Sequence, residues 1–140
     1  MPVMTIDDMT DFLAEQFPQV KNDFVVEEVR DMGIRVRLKV GERHLRPGGT
    51  VSGPTMFSLA DVTVYLAIMA MVGPKALAVT TNCSIDFMRK PAARTDLIGE
   101  CTLLKLGKVL AVGDVLVYSE GLDSPVARAT LTYSIPPDRV

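Results

Sequence analysis

Between Pro54 and the pair Gly73-Pro74 lies one long, nearly uninterrupted apolar run, Phe57-Ser58-Leu59-Ala60-Asp61-Val62-Thr63-Val64-Tyr65-Leu66-Ala67-Ile68-Met69-Ala70-Met71. Pro54 suits the start of a helix, because its missing N–H costs nothing at the first helical position and its φ is already fixed there. Gly73-Pro74 closes it. The length invites comparison with a membrane span, but Asp61 in its body, with Ser58 and Thr63, opposes that reading, and the run stops near the lower limit for a span. It reads instead as a core helix, and 140 residues is the size of one domain with a single core.

The remainder of the chain supplies strands. Thr5 or Asp7 caps a short first helix over Asp8–Glu15, with Met9, Phe12 and Leu13 on one face and Pro18 ending it. Phe24–Val29 and Ile34–Val40 follow as strands around a Met32-Gly33 turn; the second alternates apolar and charged residues, the mark of a half-buried strand. A polar loop, Gly41–Ser52, holds the only histidine, His44, which reads as a surface residue. After the long helix come four more strands, Leu77–Phe87, Leu97–Leu104, Val109–Tyr118 and Val126–Ile135. An apolar helix set among antiparallel strands implies an α+β fold, a curved sheet wrapped around the helix. Residues 1–140 read as one domain, with residues 1–20 as an N-terminal helical extension.

Asp61 has no cation near it in sequence, and burying a lone carboxylate costs several kcal/mol unless it is compensated. Such a group is either held by hydrogen bonds or kept for chemistry, and we take the second reading. A net charge of −2 argues against nucleic acid as a partner, and the absence of Trp removes the usual stacking platform. Cys83 and Cys101 are isolated, without metal spacing, which fits a reducing compartment. The N-terminus lacks the basic-then-apolar pattern of a signal peptide, so a cytoplasmic protein is expected. No membrane partner and no metal are expected.

Two stretches carry a resemblance. Gly53-Pro54-Thr55-Met56-Phe57-Ser58-Leu59-Ala60-Asp61 opens the helix, and Ala78-Val79-Thr80-Thr81-Asn82-Cys83-Ser84-Ile85-Asp86-Phe87-Met88-Arg89-Lys90-Pro91 follows it. Together they resemble the hotdog-fold acyl-CoA thioesterases of the PaaI-like branch, over roughly the Ile34 strand to Tyr133. The resemblance implies a hotdog fold and hydrolysis of an acyl (or aryl) thioester to free acid and CoA. It implies Asp61 as general base or nucleophile, the Gly53 N–H as donor to the thioester oxygen, and Thr80, or else Thr81, as a hydroxyl orienting water. The chain departs from the family pattern where Ser52 replaces its histidine, Pro54 its second glycine and Arg46 an asparagine. The resemblance implies that these three positions bear on the carbonyl-binding side, which makes Arg46, Ser52 and Pro54 candidate substrate contacts.

Elementary geometry adds a constraint. Gly53 and Asp61 are eight residues apart, about 12 Å along one helix. One carbonyl cannot lie within hydrogen-bonding reach of both, so both act on one substrate only across two copies of the chain, in a homodimer or a dimer-of-dimers tetramer. Helical spacing sets Phe57, Ser58, Val64 and Tyr65 on the Asp61 face, as acyl-pocket candidates, although Phe57 and Val64 read first as core. Ser58 or Tyr65 is a candidate hydrogen-bond partner. Arg89, Lys90, Lys105 and Lys108 are candidates for gripping the phosphates of coenzyme A. Coenzyme A is part of the substrate here, and no separate cofactor is expected. A His44–Cys83 nucleophile pair has no support in the sequence, and Met69 and Met71 read as core filling or subunit packing. The alternative to a hydrolase is a non-catalytic hotdog protein that binds an acyl group or CoA.

Overall fold

The computed structural model describes residues 1–137. Thr5 caps α1 (Ile6–Gln16): Thr5 Oγ1 accepts from the Asp8 N–H at 3.1 Å, and Asp8 Oδ2 accepts from the Thr5 N–H at 2.9 Å. This reciprocal cap satisfies two donors that a helix start leaves unpaired, and it begins the helix two residues earlier than the apolar spacing alone suggests. Six strands follow: β1 (Phe24–Arg30), β2 (Gly33–Leu38), β3 (Val79–Phe87), β4 (Leu97–Leu106), β5 (Leu110–Ser119) and β6 (Ala127–Ser134). They form one antiparallel sheet in the order β1-β2-β4-β5-β6-β3. The long helix α2 (Gly53–Val72) packs on β2, β4, β5 and β6, and the curved sheet wraps it in the hotdog arrangement that the resemblance implied.

Strand alternation decides which side chains reach the helix. In β2, Ile34, Val36 and Leu38 are buried, while Arg35 and Arg37 point outward into ion pairs with Glu27, Glu100, Asp96 and Glu120. The sheet meets α2 most closely at two glycines. A Cβ on Gly99 would stand 2.7 Å from Thr63 Oγ1, and one on Gly113 would stand 3.0 Å from Val64 Cγ1. Thr63 itself is satisfied inside the helix, its Oγ1 donating to the Leu59 carbonyl at 2.6 Å. The apolar run is thus spent on the core, as the buried Leu59, Ala60, Val64, Leu66, Ala67 and Ile68 show. Met69 is fully buried, and the half-buried Met71 packs against the core, its Sδ accepting the Met32 N–H at 3.3 Å.

Helix α2 starts one residue before the sequence suggests. Ser52 is its cap and Gly53 its first residue, which places Pro54 second. Gly73 ends it with φ +90°, a left-handed backbone that glycine adopts at little cost, and its N–H returns to the Met69 carbonyl at 2.9 Å.

The two outer strands, β1 and β3, differ. Helix α1 packs against β1. Strand β3 pairs only with β6, and its apolar side chains lie open, Val79 at 55% and Phe87 at 51% exposure. A bulge interrupts its register: Thr80 faces Tyr133 and Asn82 faces Thr132, leaving Thr81 as the extra residue.

Candidate active site

Asp61 lies on the side of α2 turned toward β3 and the end of β6, and it is half-buried. Two hydroxyls converge on one of its oxygens. Thr80 Oγ1 donates to Asp61 Oδ1 at 2.6 Å, and the Tyr133 hydroxyl donates to the same atom at 2.6 Å. Among the described residues no hydrogen bond reaches Oδ2. Both donors are positioned by the sheet: they face one another across β3 and β6, and the bulge after Thr80 turns Thr81 away, to an exposed site where its Oγ1 donates to the Thr132 carbonyl at 3.3 Å. Burial, then the Asp61 charge, pushes the Tyr133 phenol well above its usual range, so it remains a donor.

Tyr133 is absent from the sequence-based candidates. It ends the inward series Ala127, Ala129, Leu131, Tyr133 of β6, and a buried tyrosine needs a partner for its hydroxyl. That need is the available signal; the identity of the partner depends on the pairing of β3 with β6, which no local pattern reveals.

A cavity of about 440 Å³ opens beside the acid. Asp61, Thr80 and Tyr133 form its polar end, and its walls include Val62, Tyr65 and Ala78. Of the four candidates for the acyl pocket, Tyr65 lines this cavity with Asp61. Its hydroxyl donates to the Ala76 carbonyl at 3.0 Å, and burial moves its pKa up to about 12. Val64 is fully buried against Gly113 of β5 instead and does not line the cavity. Phe57 is 37% exposed and so is not core, and Ser58 lines a separate, smaller hollow with Pro54, Thr55 and His44.

The start of α2 is the second element. Ser52 Oγ lies 2.8 Å from Thr55 Oγ1 and accepts weakly from the Thr55 N–H at 3.4 Å, so this residue is engaged as a helix cap. Pro54 has no N–H, and the Gly53 N–H has no partner among the described residues. A Cβ on Gly53 would meet only the Phe87 ring, at 3.5 Å, an ordinary contact. Gly53 therefore stands near the Phe87 end of β3 and Asp61 near the Thr80 end. Arg46 lies in the preceding loop, exposed, its N–H donating to the Thr50 carbonyl at 2.8 Å.

The four basic candidates do not gather in one chain. Arg89 and Lys90 follow Phe87, and the Arg89 side chain donates to the Pro125 carbonyl at 2.7 Å, before the start of β6. Lys105 and Lys108 flank the β4–β5 turn, where Val109 meets Ile135, beyond the end of β6. The eight residues of β6 separate the two pairs by about 26 Å. His44 is buried, contrary to the surface position expected of it: its Nδ1 accepts the Gly41 N–H at 2.8 Å, and burial, helped by Arg43, lowers its pKa. It sits beside Asp23 near β1, while Cys83 lies on β3 at the opposite edge of the sheet, so they form no pair.

Comparison with known proteins gives the family and the fold. The family model of the thioesterase superfamily matches residues 48–126, more than half of the chain, including Gly53, Asp61 and Thr80. A protein of Silicibacter sp. TM1040 that carries a provisional thioesterase assignment is 56% identical, with 98% of this chain and 95% of that chain covered and a TM-score of 0.92. The chain belongs to the thioesterase superfamily. A variant of the phenylacetic acid degradation protein PaaI from Thermus thermophilus is 28% identical over 85% of this chain and 99% of that one, with a TM-score of 0.72. A hypothetical thioesterase of Streptococcus pneumoniae TIGR4, solved with coenzyme A, shares the fold at 23% identity and a TM-score of 0.78, covering 94% of this chain and 99% of that chain. No curated protein matches the chain. Within this superfamily member, Tyr133 lies outside the matched region, and Asp61 and Thr80 lie inside it.

Proposed function

We propose that this chain is an acyl-CoA thioesterase that works as a homodimer or a larger assembly of dimers. Asp61 drives attack on the thioester carbonyl carbon, as base toward water or as nucleophile, through its free Oδ2. Thr80 and Tyr133 hold the carboxylate by Oδ1 and thereby aim Oδ2. The Gly53 N–H of the partner subunit meets the oxyanion, helped by the partial positive charge of the helix start. The CoA thiolate leaves and takes up a proton; with Asp61 as base the acid is released at once, and with Asp61 as nucleophile water first hydrolyses the acyl–Asp61 anhydride. One observation carries the reading: a carboxylate fixed through one oxygen, with the other open, beside a cavity that is otherwise apolar. Membership of the superfamily supports a thioester as the reacting group, and the coenzyme A held by the Streptococcus relative supports CoA as its thiol half.

The open edge of β3 supports the shared site. Two copies joined along β3 by a two-fold axis run those strands antiparallel. The Phe87 end of one strand then lies against the Thr80 end of the other, which sets Gly53 of the partner subunit toward Asp61. Pairing also removes an edge whose unsatisfied backbone groups and exposed Val79 and Phe87 would otherwise invite aggregation.

The test is thiol release from short, medium, branched and aryl acyl-CoAs by wild type and Asp61→Asn. Turnover by the wild type alone supports the proposal. Acyl-CoA binding without turnover by wild type would make the chain a binding protein. Tyr133→Phe removes one of the two donors on Oδ1, and we expect kcat to fall about ten-fold with KM changed by less than about two-fold, since the aim of the carboxylate is lost and the cavity is kept. Steady-state kinetics on the best substrate measures both.

A further inference from the structure

The far wall of the Asp61 cavity comes from a part of the chain outside the superfamily match: Leu13 from α1, and Phe17 and Val20 from the turn that follows it. Resting on the proposed hydrolysis, we infer that this N-terminal segment closes the acyl chamber and sets the length of acyl group the enzyme accepts, with Phe17 as the principal determinant and an unsubstituted apolar acyl chain as the substrate class.

The wall is fixed in place. The Thr5–Asp8 cap holds the start of α1, and the Val3 N–H donates to the Ala70 carbonyl of α2 at 2.6 Å. Phe17 meets Tyr65 edge to face, with ring centroids 5.5 Å apart, and Phe12 packs on the same ring at 6.1 Å. Leu13 and Phe12 are buried. Pro18 begins a single 3₁₀ turn directly after Phe17, so the chain reverses there and brings Val20 to the same chamber.

The chemistry of the walls selects the ligand. Past the Asp61 cluster, the chamber is lined by apolar groups and by Tyr65, whose hydroxyl is committed to the Ala76 carbonyl. A hydroxyl or charge on the acyl chain would be desolvated there without a side-chain partner, which costs binding. The volume of about 440 Å³ is roughly three times the 150 Å³ apolar cavity that holds one benzene, so the chamber takes an acyl group larger than a single ring. Each methylene moved from water into such surroundings tightens binding about four-fold, so kcat/KM rises with chain length until the tail meets Phe17.

The experiment is kcat/KM over a straight-chain acyl-CoA series from two to sixteen carbons (about one point per two carbons), for wild type, Phe17→Ala and Val20→Phe, each checked for an unchanged oligomeric state and cooperative melting. Phe17→Ala opens a ring-sized space and should move the optimum longer by about two to four carbons, while Val20→Phe should move it shorter by a similar amount. An active wild type whose chain-length profile is the same in both folded variants would overturn the wall assignment and leave the hydrolase reading standing. A wild type that turns over no acyl-CoA of any length would overturn the hydrolase reading, and the wall assignment with it.

Discussion

Asp61→Asn should lower kcat for thiol release by about 10²–10⁴-fold while leaving the fold intact, because a positioned general base contributes that much and an amide oxygen cannot take a proton or attack a carbonyl. The substitution is nearly isosteric. The Asn Oδ1 can still accept from Thr80 and Tyr133, which now lie 2.6 Å from that atom, so the two hydroxyls are not orphaned. Stability should therefore stay within about 1 kcal/mol of wild type, measured by denaturant titration. The separation of the two effects is the informative part, since a merely structural carboxylate would show loss of stability with activity preserved in the folded fraction.

Gly53→Pro should cost about 10²–10³-fold in kcat, the usual effect of deleting one oxyanion donor. Proline removes the N–H and adds a small ring at a position where a Cβ meets only Phe87. It is favoured at the first position of a helix, and Ser52, at φ −74° and ψ 156°, already has the backbone that the residue before a proline requires. Gly53→Ala is the control, since it keeps the N–H and adds only a methyl group in ordinary contact with Phe87. The expected order of kcat is wild type, then alanine, then proline far below, with melting temperatures of all three close together. Equal rates for the alanine and proline variants would remove the backbone donor from the mechanism.

Much of this architecture is legible in the sequence because local chemistry and tertiary need agree. The strict alternation of Ile34–Leu38 can serve only a half-buried strand, and a helix without a polar face can serve only the core. Asp61 stands out because it breaks that apolar pattern, and Thr80 comes from the matching stretch after the helix. What escapes depends on pairing between distant segments. Tyr133 meets Asp61 only because β3 returns beside β6, 72 residues from the acid. Spacing alone cannot separate core from pocket on a wide apolar helix, and the close approach of Gly113 is what commits Val64 to the core. His44 lies in a polar loop that suggests the surface, yet the loop folds back through the Gly41 N–H to Nδ1 bond and buries the ring. The four basic candidates carry no sign in the sequence of how far apart they lie, and the length of β6 separates the two pairs.

The central claim is that one catalytic site is assembled from Asp61 of one copy and Gly53 of the other, since about 12 Å of helix separates them within a copy. The most direct test is to combine the inactive Asp61→Asn and Gly53→Pro chains, distinguished by two affinity tags, and to assay the purified mixed dimer. One of its two sites would hold both lesions and the other neither, so the account predicts about half of wild-type activity from two dead parents. A mixed dimer as inactive as its parents would contradict it and return the whole site to a single chain.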